Sequence, residues 1–164
     1  MWAPHGDTEP APEVRLIDAR AIGLPDEPAL REHAHACSAD TSASSISRSY
    51  CFPFALVARH TSAVGVDIER VGPCDQAFAD SIRTSAERAG GWPADDSDRF
   101  FTSLWSSKEA LSKALGDALD YDPRWLEGPG AWPDGRSGPW RAATLDVGDG
   151  HVAWLCWCAE GPSR

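Results

Sequence analysis

The strictest pattern in the sequence is the alternation of apolar and polar residues over SAVGVDIERV, residues 62–71. Val64, Val66 and Ile68 fall on one side of an extended chain, and a glycine and two acidic residues fall on the other. Successive side chains of a β-strand point to opposite faces, so a period of two marks a strand with one apolar and one polar face. The pattern predicts a half-buried strand here.

A long amphipathic helix is predicted over RFFTSLWSSKEALSKALG, residues 99–116. Ser97 or Asp98 is a suitable N-cap, and Gly116 is a natural C-terminal stop. The apolar residues that recur at helical spacing are Phe101, Leu104, Leu111 and Leu115.

The remaining elements are shorter. We predict a strand over 13–19, helices over 27–37 and 75–88, a strand through 54–60, a connecting loop over 120–139 and a hairpin over 140–159. The small, polar run 39–49 predicts a loop that leads into the 54–60 strand and brings Ser47, Arg48 and Ser49 to a strand edge. This order of elements favours an α+β fold over a doubly wound sheet.

The length of 164 residues suits a single domain over 1–164, with the proline-containing residues 1–12 poorly ordered. The formal charge of −10 argues against binding to nucleic acid, which relies on cationic side chains. No stretch approaches the roughly 20 apolar residues of a membrane span, so no membrane partner is expected. Five cysteines without a paired metal motif fit reduced thiols in the cytoplasm.

Two acidic residues of the predicted strand are candidates for metal binding. Asp67 and Glu69 are two positions apart, so both carboxylates leave the same face with Cα atoms roughly 7 Å apart. Oxygen ligands in this arrangement suit magnesium. A solvated polar face of an ordinary strand is the alternative, and the spacing does not decide between them.

The predicted helix carries a second candidate group. Trp105, Glu109 and Lys113 are spaced four apart and lie along one strip of the helix. This strip is either a surface ion pair covered by a tryptophan or a site for phosphate. The basic residues favour phosphate, because 13 of them are arginine and the two lysines, Lys108 and Lys113, both lie in this helix beside Glu109.

Three segments together resemble the 4'-phosphopantetheinyl transferases of the Sfp type. GVDIE at 65–69 and WSSKEALSKALG at 105–116 look like the paired signature of that family, in its order and at its distance. SISRS at 45–49 resembles the family's Ser-His-Ser segment. The resemblance spans about 115 of the 164 residues. It implies the transferase-like α+β fold, a small antiparallel sheet packed on helices, with a reduced first half.

The resemblance also implies an activity: the phosphopantetheine arm of coenzyme A, the substrate, is transferred to a serine of an acyl or peptidyl carrier protein. Polyketide or nonribosomal peptide synthesis is the expected pathway. In this reading Asp67, Glu69 and Glu109 hold Mg2+ against the diphosphate, and Glu109 accepts the serine proton. Lys113 and Lys108 steady the diphosphate. The resemblance places Ser47 and Arg48 at the 3'-phosphate.

The chain departs from the family pattern at two points. Arg48 stands where the family has histidine, and only 64 residues precede Gly65, with no Gly-Lys-Pro segment. A compact chain could complete its site as a small homo-oligomer, so either a monomer or such an assembly is expected. One alternative function is a transferase-like protein that binds a carrier protein or a coenzyme A ester without transfer. A structural domain with solvated acids is another.

Overall fold

The computed structural model describes residues 11–39, 43 and 45–159. The predicted disorder of the N-terminal segment therefore lies almost entirely outside the described residues. The described chain forms two antiparallel sheets and four α-helices, which confirms the α+β class.

The first sheet has the strand order β1-β3-β2. It consists of β1 (Glu13–Asp18), β2 (Ser45–Cys51) and β3 (Phe54–His60), and α1 (Glu27–Ser38) packs against one face. Asp26 caps α1 by accepting a hydrogen bond from the Ala29 amide, and Leu30 and Ala34 are fully buried against the sheet.

The second sheet has the order β4-β7-β6-β5. Its strands are β4 (Val64–Arg70), β5 (Arg136–Ser137), β6 (Trp140–Thr144) and β7 (His151–Cys158). The remaining helices are α2 (Gln76–Ile82), α3 (Ser85–Ala89) and α4 (Ser97–Leu115), and α4 lies across β4 and β7.

Serine side chains join the two sheets where β2 runs beside β4. The Ser47 hydroxyl accepts a hydrogen bond from the Val66 amide at 3.0 Å, and the Ser49 hydroxyl accepts one from the Ile68 amide at 3.2 Å. Apolar residues of β3, β4 and β7 form a shared core next to this seam. The serines thus satisfy backbone donors that would otherwise be buried without a partner.

The strand at 64–70, the helix at 97–115 and the C-terminal hairpin confirm the sequence predictions. Gly116 ends α4 with a φ of 86°, as expected for a glycine C-cap. The N-cap is Asp96, at a φ of 46°, one position before the predicted residues.

Two predicted elements were wrong. Residues 45–51 are a strand of their own that forms a hairpin with β3, whereas a loop was expected. The polar composition of this segment favoured a loop, but Ser47 and Ser49 are buried here because their hydroxyls hydrogen-bond to β4. The helix predicted over 75–88 is two helices, because Thr84 starts α3 with a reciprocal capping box to Glu87.

The loop after α4 contains three short 3-10 turns: Pro123–Trp125, Pro129–Ala131 and Pro133–Gly135. It returns along α4 before β5 begins. None of the helices in the described part of the chain is long and apolar enough to cross a membrane.

Candidate active site

The site is built where α4 crosses β4. A Cβ atom on Gly65 would lie 1.9 Å from the Ala110 carbonyl oxygen, so only glycine lets the helix backbone approach this closely. This contact buries the polar face of β4, and Asp67 is only 3% exposed. The residues of β4 and α4 that resemble the family signature therefore face each other across one interface.

Asp67 sits at the centre of this interface. Its Oδ1 accepts hydrogen bonds from the Lys113 ammonium at 2.7 Å and from the Ser49 hydroxyl at 2.9 Å. Its Oδ2 is buried and has no hydrogen-bond partner. A buried carboxylate oxygen without a donor is costly, and its free lone pairs are those of a ligand atom.

Glu69 lies two residues further along β4, on the same face as Asp67. Its Oε1 accepts a hydrogen bond from the Trp105 indole at 3.2 Å. Burial, together with the negative charge of Asp67, raises the pKa of Glu69 to about 7. The carboxylate is therefore only partly ionised at neutral pH in the metal-free protein.

Glu109 faces the two acids from α4. The Tyr121 hydroxyl donates a hydrogen bond to Glu109 Oε1 at 2.6 Å. Burial raises the pKa of Glu109, and the charge of Asp67 adds to the rise, whereas the Tyr121 hydrogen bond and Lys113 oppose it. Glu109 thus shares one electrostatic site with Asp67, Glu69 and Lys113.

Lys108, which was predicted to steady the diphosphate, lies outside this interface. Its side chain is fully buried on another side of α4. The ammonium donates to the Ile82 carbonyl at 2.5 Å, the Pro123 carbonyl at 2.9 Å and Glu87 Oε2 at 2.6 Å. With three acceptors, the ammonium has no remaining proton for a phosphate.

Glu87 completes the environment of Lys108. Its carboxylate also accepts hydrogen bonds from the backbone amides of Thr84 and Gly128, both at 2.8 Å. Burial would raise the pKa of Glu87, but the hydrogen bonds from Lys108, Gly128 and Thr84 outweigh the effect of burial and hold the pKa below its usual value. The Lys108–Glu87 pair is therefore a structural ion pair in the protein interior.

Ser47 and Arg48 were predicted to meet one phosphate, but they leave opposite faces of β2. The Ser47 hydroxyl is buried against β4. The Arg48 guanidinium lies on the α1 side, where it donates to the Ser38 hydroxyl at 2.9 and 2.5 Å. A single phosphate cannot contact both side chains, so Arg48 alone remains a candidate and Ser47 is a bridge between the sheets.

Two cavities flank α4. The smaller one, about 240 Å³, borders the carboxylate site and is lined by Glu69, Cys74, Phe78 and Trp105 among others. The larger one, about 440 Å³, opens on the side of α4 that carries Leu104 and includes none of the three site carboxylates. Of these two cavities, the smaller one reaches Glu69 and neither reaches Asp67 or Glu109.

The carboxylates of Asp67, Glu69 and Glu109 are chemically suited to bind a divalent cation. Mg2+ prefers carboxylate oxygens, and Asp67 Oδ2 is available as a ligand. Within the described residues, no three His, Cys, Asp or Glu side chains converge to the distances of one metal ion.

Comparison with known proteins shows similarity to one family. Residues 63–133 match the family described as the 4'-phosphopantetheinyl transferase superfamily. The match covers 71 of the 164 residues and supports this superfamily for the chain. The matched segment contains β4 and α4, and so all four residues of the α4–β4 site.

A curated relative from the superfamily is the 4'-phosphopantetheinyl transferase psf-1 of Bacillus pumilus. It is 37% identical over 60 residues, which is 35% of this chain and 26% of the relative. The alignment therefore spans about a quarter of the relative's length. Both similarities support the resemblance that the sequence motifs predicted.

Three site residues were missed or undervalued in the sequence. Tyr121 lies in a loop with no local motif, and only the tertiary structure brings it to Glu109. Ser49 belongs to the SISRS segment, but its role beside Asp67 was not predicted. Trp105 was placed on one strip of the helix with Glu109 and Lys113, and its indole donates a hydrogen bond to Glu69 of β4.

Proposed function

We propose that the chain transfers the 4'-phosphopantetheine arm of coenzyme A to a serine of an acyl or peptidyl carrier protein. The observation that carries the proposal is that two acids of β4 face Glu109 and Lys113 of α4, and that one Asp67 oxygen is buried without a hydrogen-bond partner. The similarity of residues 63–133 to the 4'-phosphopantetheinyl transferase superfamily supports the same reaction.

In this proposal Asp67, Glu69 and Glu109 hold Mg2+. The bound cation would neutralise charge on the diphosphate of coenzyme A as the phosphorus is attacked. Lys113, already 2.7 Å from Asp67, contributes a positive charge at the same point and steadies the leaving group. These four residues account for the phosphate chemistry without Lys108.

Glu109 is the proposed proton acceptor. The carrier serine oxygen forms a bond to the phosphorus of the phosphopantetheine, and the bond from that phosphorus to the diphosphate bridge breaks. The serine proton passes to Glu109, and adenosine 3',5'-bisphosphate leaves.

Arg48 is the proposed contact for the 3'-phosphate of coenzyme A. Its guanidinium is permanently charged and can bind a phosphate with two parallel hydrogen bonds. Binding would require it to exchange its present partner, the Ser38 hydroxyl, for the stronger anionic acceptor.

The wider setting follows the sequence expectations. We infer a cytoplasmic protein, one transferase-like domain over 1–164, that works in polyketide or nonribosomal peptide synthesis as a monomer or small homo-oligomer. All five cysteines are free thiols, which is consistent with a reducing compartment.

The decisive experiment is intact-mass analysis of apo carrier proteins after incubation with the protein, coenzyme A and Mg2+. A gain of one phosphopantetheine per carrier is expected, and both EDTA and the substitution Glu109→Gln should abolish it. Glu32→Gln is the matched control, because Glu32 is an exposed glutamate of α1. A mass gain unaffected by Glu109→Gln would contradict the assigned role of this carboxylate.

A second candidate function is binding without transfer. The burial of Lys108 favours it, because it removes one of the two lysines from the phosphate site. Under this alternative, calorimetry would detect coenzyme A or carrier binding, yet no carrier in the panel would gain mass.

A further inference from the structure

The loop after α4 brings one phenol to the centre of the proposed site. Tyr121 is half-buried, and its hydroxyl donates to Glu109 Oε1 at 2.6 Å, a short and strong hydrogen bond. Among the described residues, no hydrogen bond reaches Glu109 Oε2. One oxygen of the carboxylate is therefore fixed while the other stays available.

The loop that carries Tyr121 is itself anchored by the buried ion pair. Lys108 donates to the carbonyl of Pro123, two residues beyond Tyr121, and Glu87 accepts from the amide of Gly128. Lys108 and Glu109 are neighbours in α4, so the same helix holds both the carboxylate and the anchor of its partner. The position of the phenol is thus determined at two points of the loop.

We propose that Tyr121 is a positioning residue for Glu109, and that the Lys108–Glu87 pair acts through it by holding the loop. Tyr121 fixes the rotamer of the carboxylate, so that Oε2 meets the cation and the carrier serine in one orientation. This inference rests on the proposed function. Groups that support a ligand or base from behind commonly affect activity by one to two orders of magnitude.

The test compares Tyr121→Phe with the wild-type protein and with Tyr50→Phe. The chain has two tyrosines, and the Tyr50 hydroxyl is buried with no hydrogen-bond partner, so Tyr50→Phe removes a phenol hydroxyl without breaking a bond. In the transfer assay, Tyr121→Phe should lower kcat about tenfold and leave KM for coenzyme A within about twofold. Tyr50→Phe should change neither value by more than about twofold. An unchanged kcat in Tyr121→Phe would overturn the proposal.

A second measurement uses no variant of Tyr121 and no turnover. Tyrosine labelled with 13C at Cζ gives one signal for each phenol, and Tyr50→Phe assigns them. Glu109→Gln and the addition of Mg2+ should each shift the Tyr121 signal and leave that of Tyr50 in place. If neither shifts it, Tyr121 does not hold Glu109 and the proposal fails, even if Tyr121→Phe itself does not fold.

The two proposals fail differently. If the wild-type protein transfers nothing to any carrier, the proposed function is wrong, and the NMR result alone decides whether Tyr121 orients Glu109. If the wild-type protein transfers the arm and Tyr121→Phe does so equally fast, the function stands and the positioning role is wrong.

Discussion

At the scale of single residues, Glu69 is the site carboxylate whose ionisation the fold disfavours most clearly. Burial and the nearby charge of Asp67 raise its pKa to about 7, well above the ordinary value of 4.5. An unfolded chain would release this proton near pH 4.5, whereas the folded protein keeps it up to about pH 7. Folding is therefore coupled to proton uptake between these values.

The first prediction follows from this coupling. In metal-free buffer, the contribution of Glu69 to stability should fall as the pH rises from about 4.5 to about 7, because the unfolded state then binds fewer protons than the folded state. Tm measured from pH 4.5 to 8 should drop more steeply for the wild-type protein than for Glu69→Gln. Parallel curves for the two proteins would contradict the prediction, and Glu32→Gln should follow the wild type.

Arg48 supplies the second prediction at this scale. Arg48→Ala should weaken coenzyme A binding by about 10- to 150-fold, because a charge-assisted phosphate contact contributes roughly 1.5 to 3 kcal/mol. Binding of 3'-dephospho-coenzyme A, which lacks that phosphate, should stay within about twofold of the wild-type value. Calorimetry with both ligands separates the contact from a general loss of the pocket. An equal loss for both ligands would refute the 3'-phosphate contact.

At the scale of elements, the contact between β4 and α4 determines whether the site exists. Gly65 lets the backbone of α4 lie against the strand, with Ala110 and Ala114 as the residues opposite it. Any side chain at position 65 would push the helix away from β4. The distances from Lys113 to Asp67 and from Trp105 to Glu69 would then both increase.

The third prediction concerns this contact. Gly65→Ala should lower the free energy of unfolding by about 1 to 3 kcal/mol, the usual cost of overpacking, and abolish transfer. Gly72→Ala is the control, because a Cβ there meets nothing within 4 Å, and its effect should stay within about 0.5 kcal/mol. Urea denaturation measures both. Equal stability of the two variants would show that α4 can move away without cost.

At the scale of the whole molecule, the Lys108–Glu87 pair connects segments that are far apart in sequence. It joins the end of α2, the start of α3, the middle of α4 and the loop at 123–128. Both side chains are nearly or fully inaccessible to water, at 0% and 13% exposure. Removal of one partner would leave an uncompensated charge in the interior.

The fourth prediction tests this pair. Lys108→Met should lower the free energy of unfolding by about 3 to 5 kcal/mol, the typical result of breaking a buried pair from one side. Arg124→Gln, which breaks the exposed pair with Asp122, should cost less than about 1 kcal/mol. The two values come from denaturant unfolding under the same conditions. A Lys108→Met protein as stable as Arg124→Gln would mean that the ammonium contributes little inside the fold.

Much of the architecture could be predicted from local patterns. Alternation located β4, helical spacing and Gly116 located α4, and turn residues located the C-terminal hairpin. Prediction failed where local chemistry was ambiguous. The serines at 45–49 are typical of a loop, and only the presence of β4 beside them makes a buried strand favourable.

By itself, the sequence determined the family resemblance, the two elements that carry the site and four of its residues: Asp67, Glu69, Glu109 and Lys113. Residue type and spacing along one chain are sufficient for that, because they fix which side chains share a face. Only the tertiary structure decided that Lys108 is buried with Glu87, that Ser47 and Arg48 separate, and that Tyr121 reaches Glu109. These outcomes depend on partners 10 to 21 positions away, and packing, not local pattern, determines which distant groups a side chain meets.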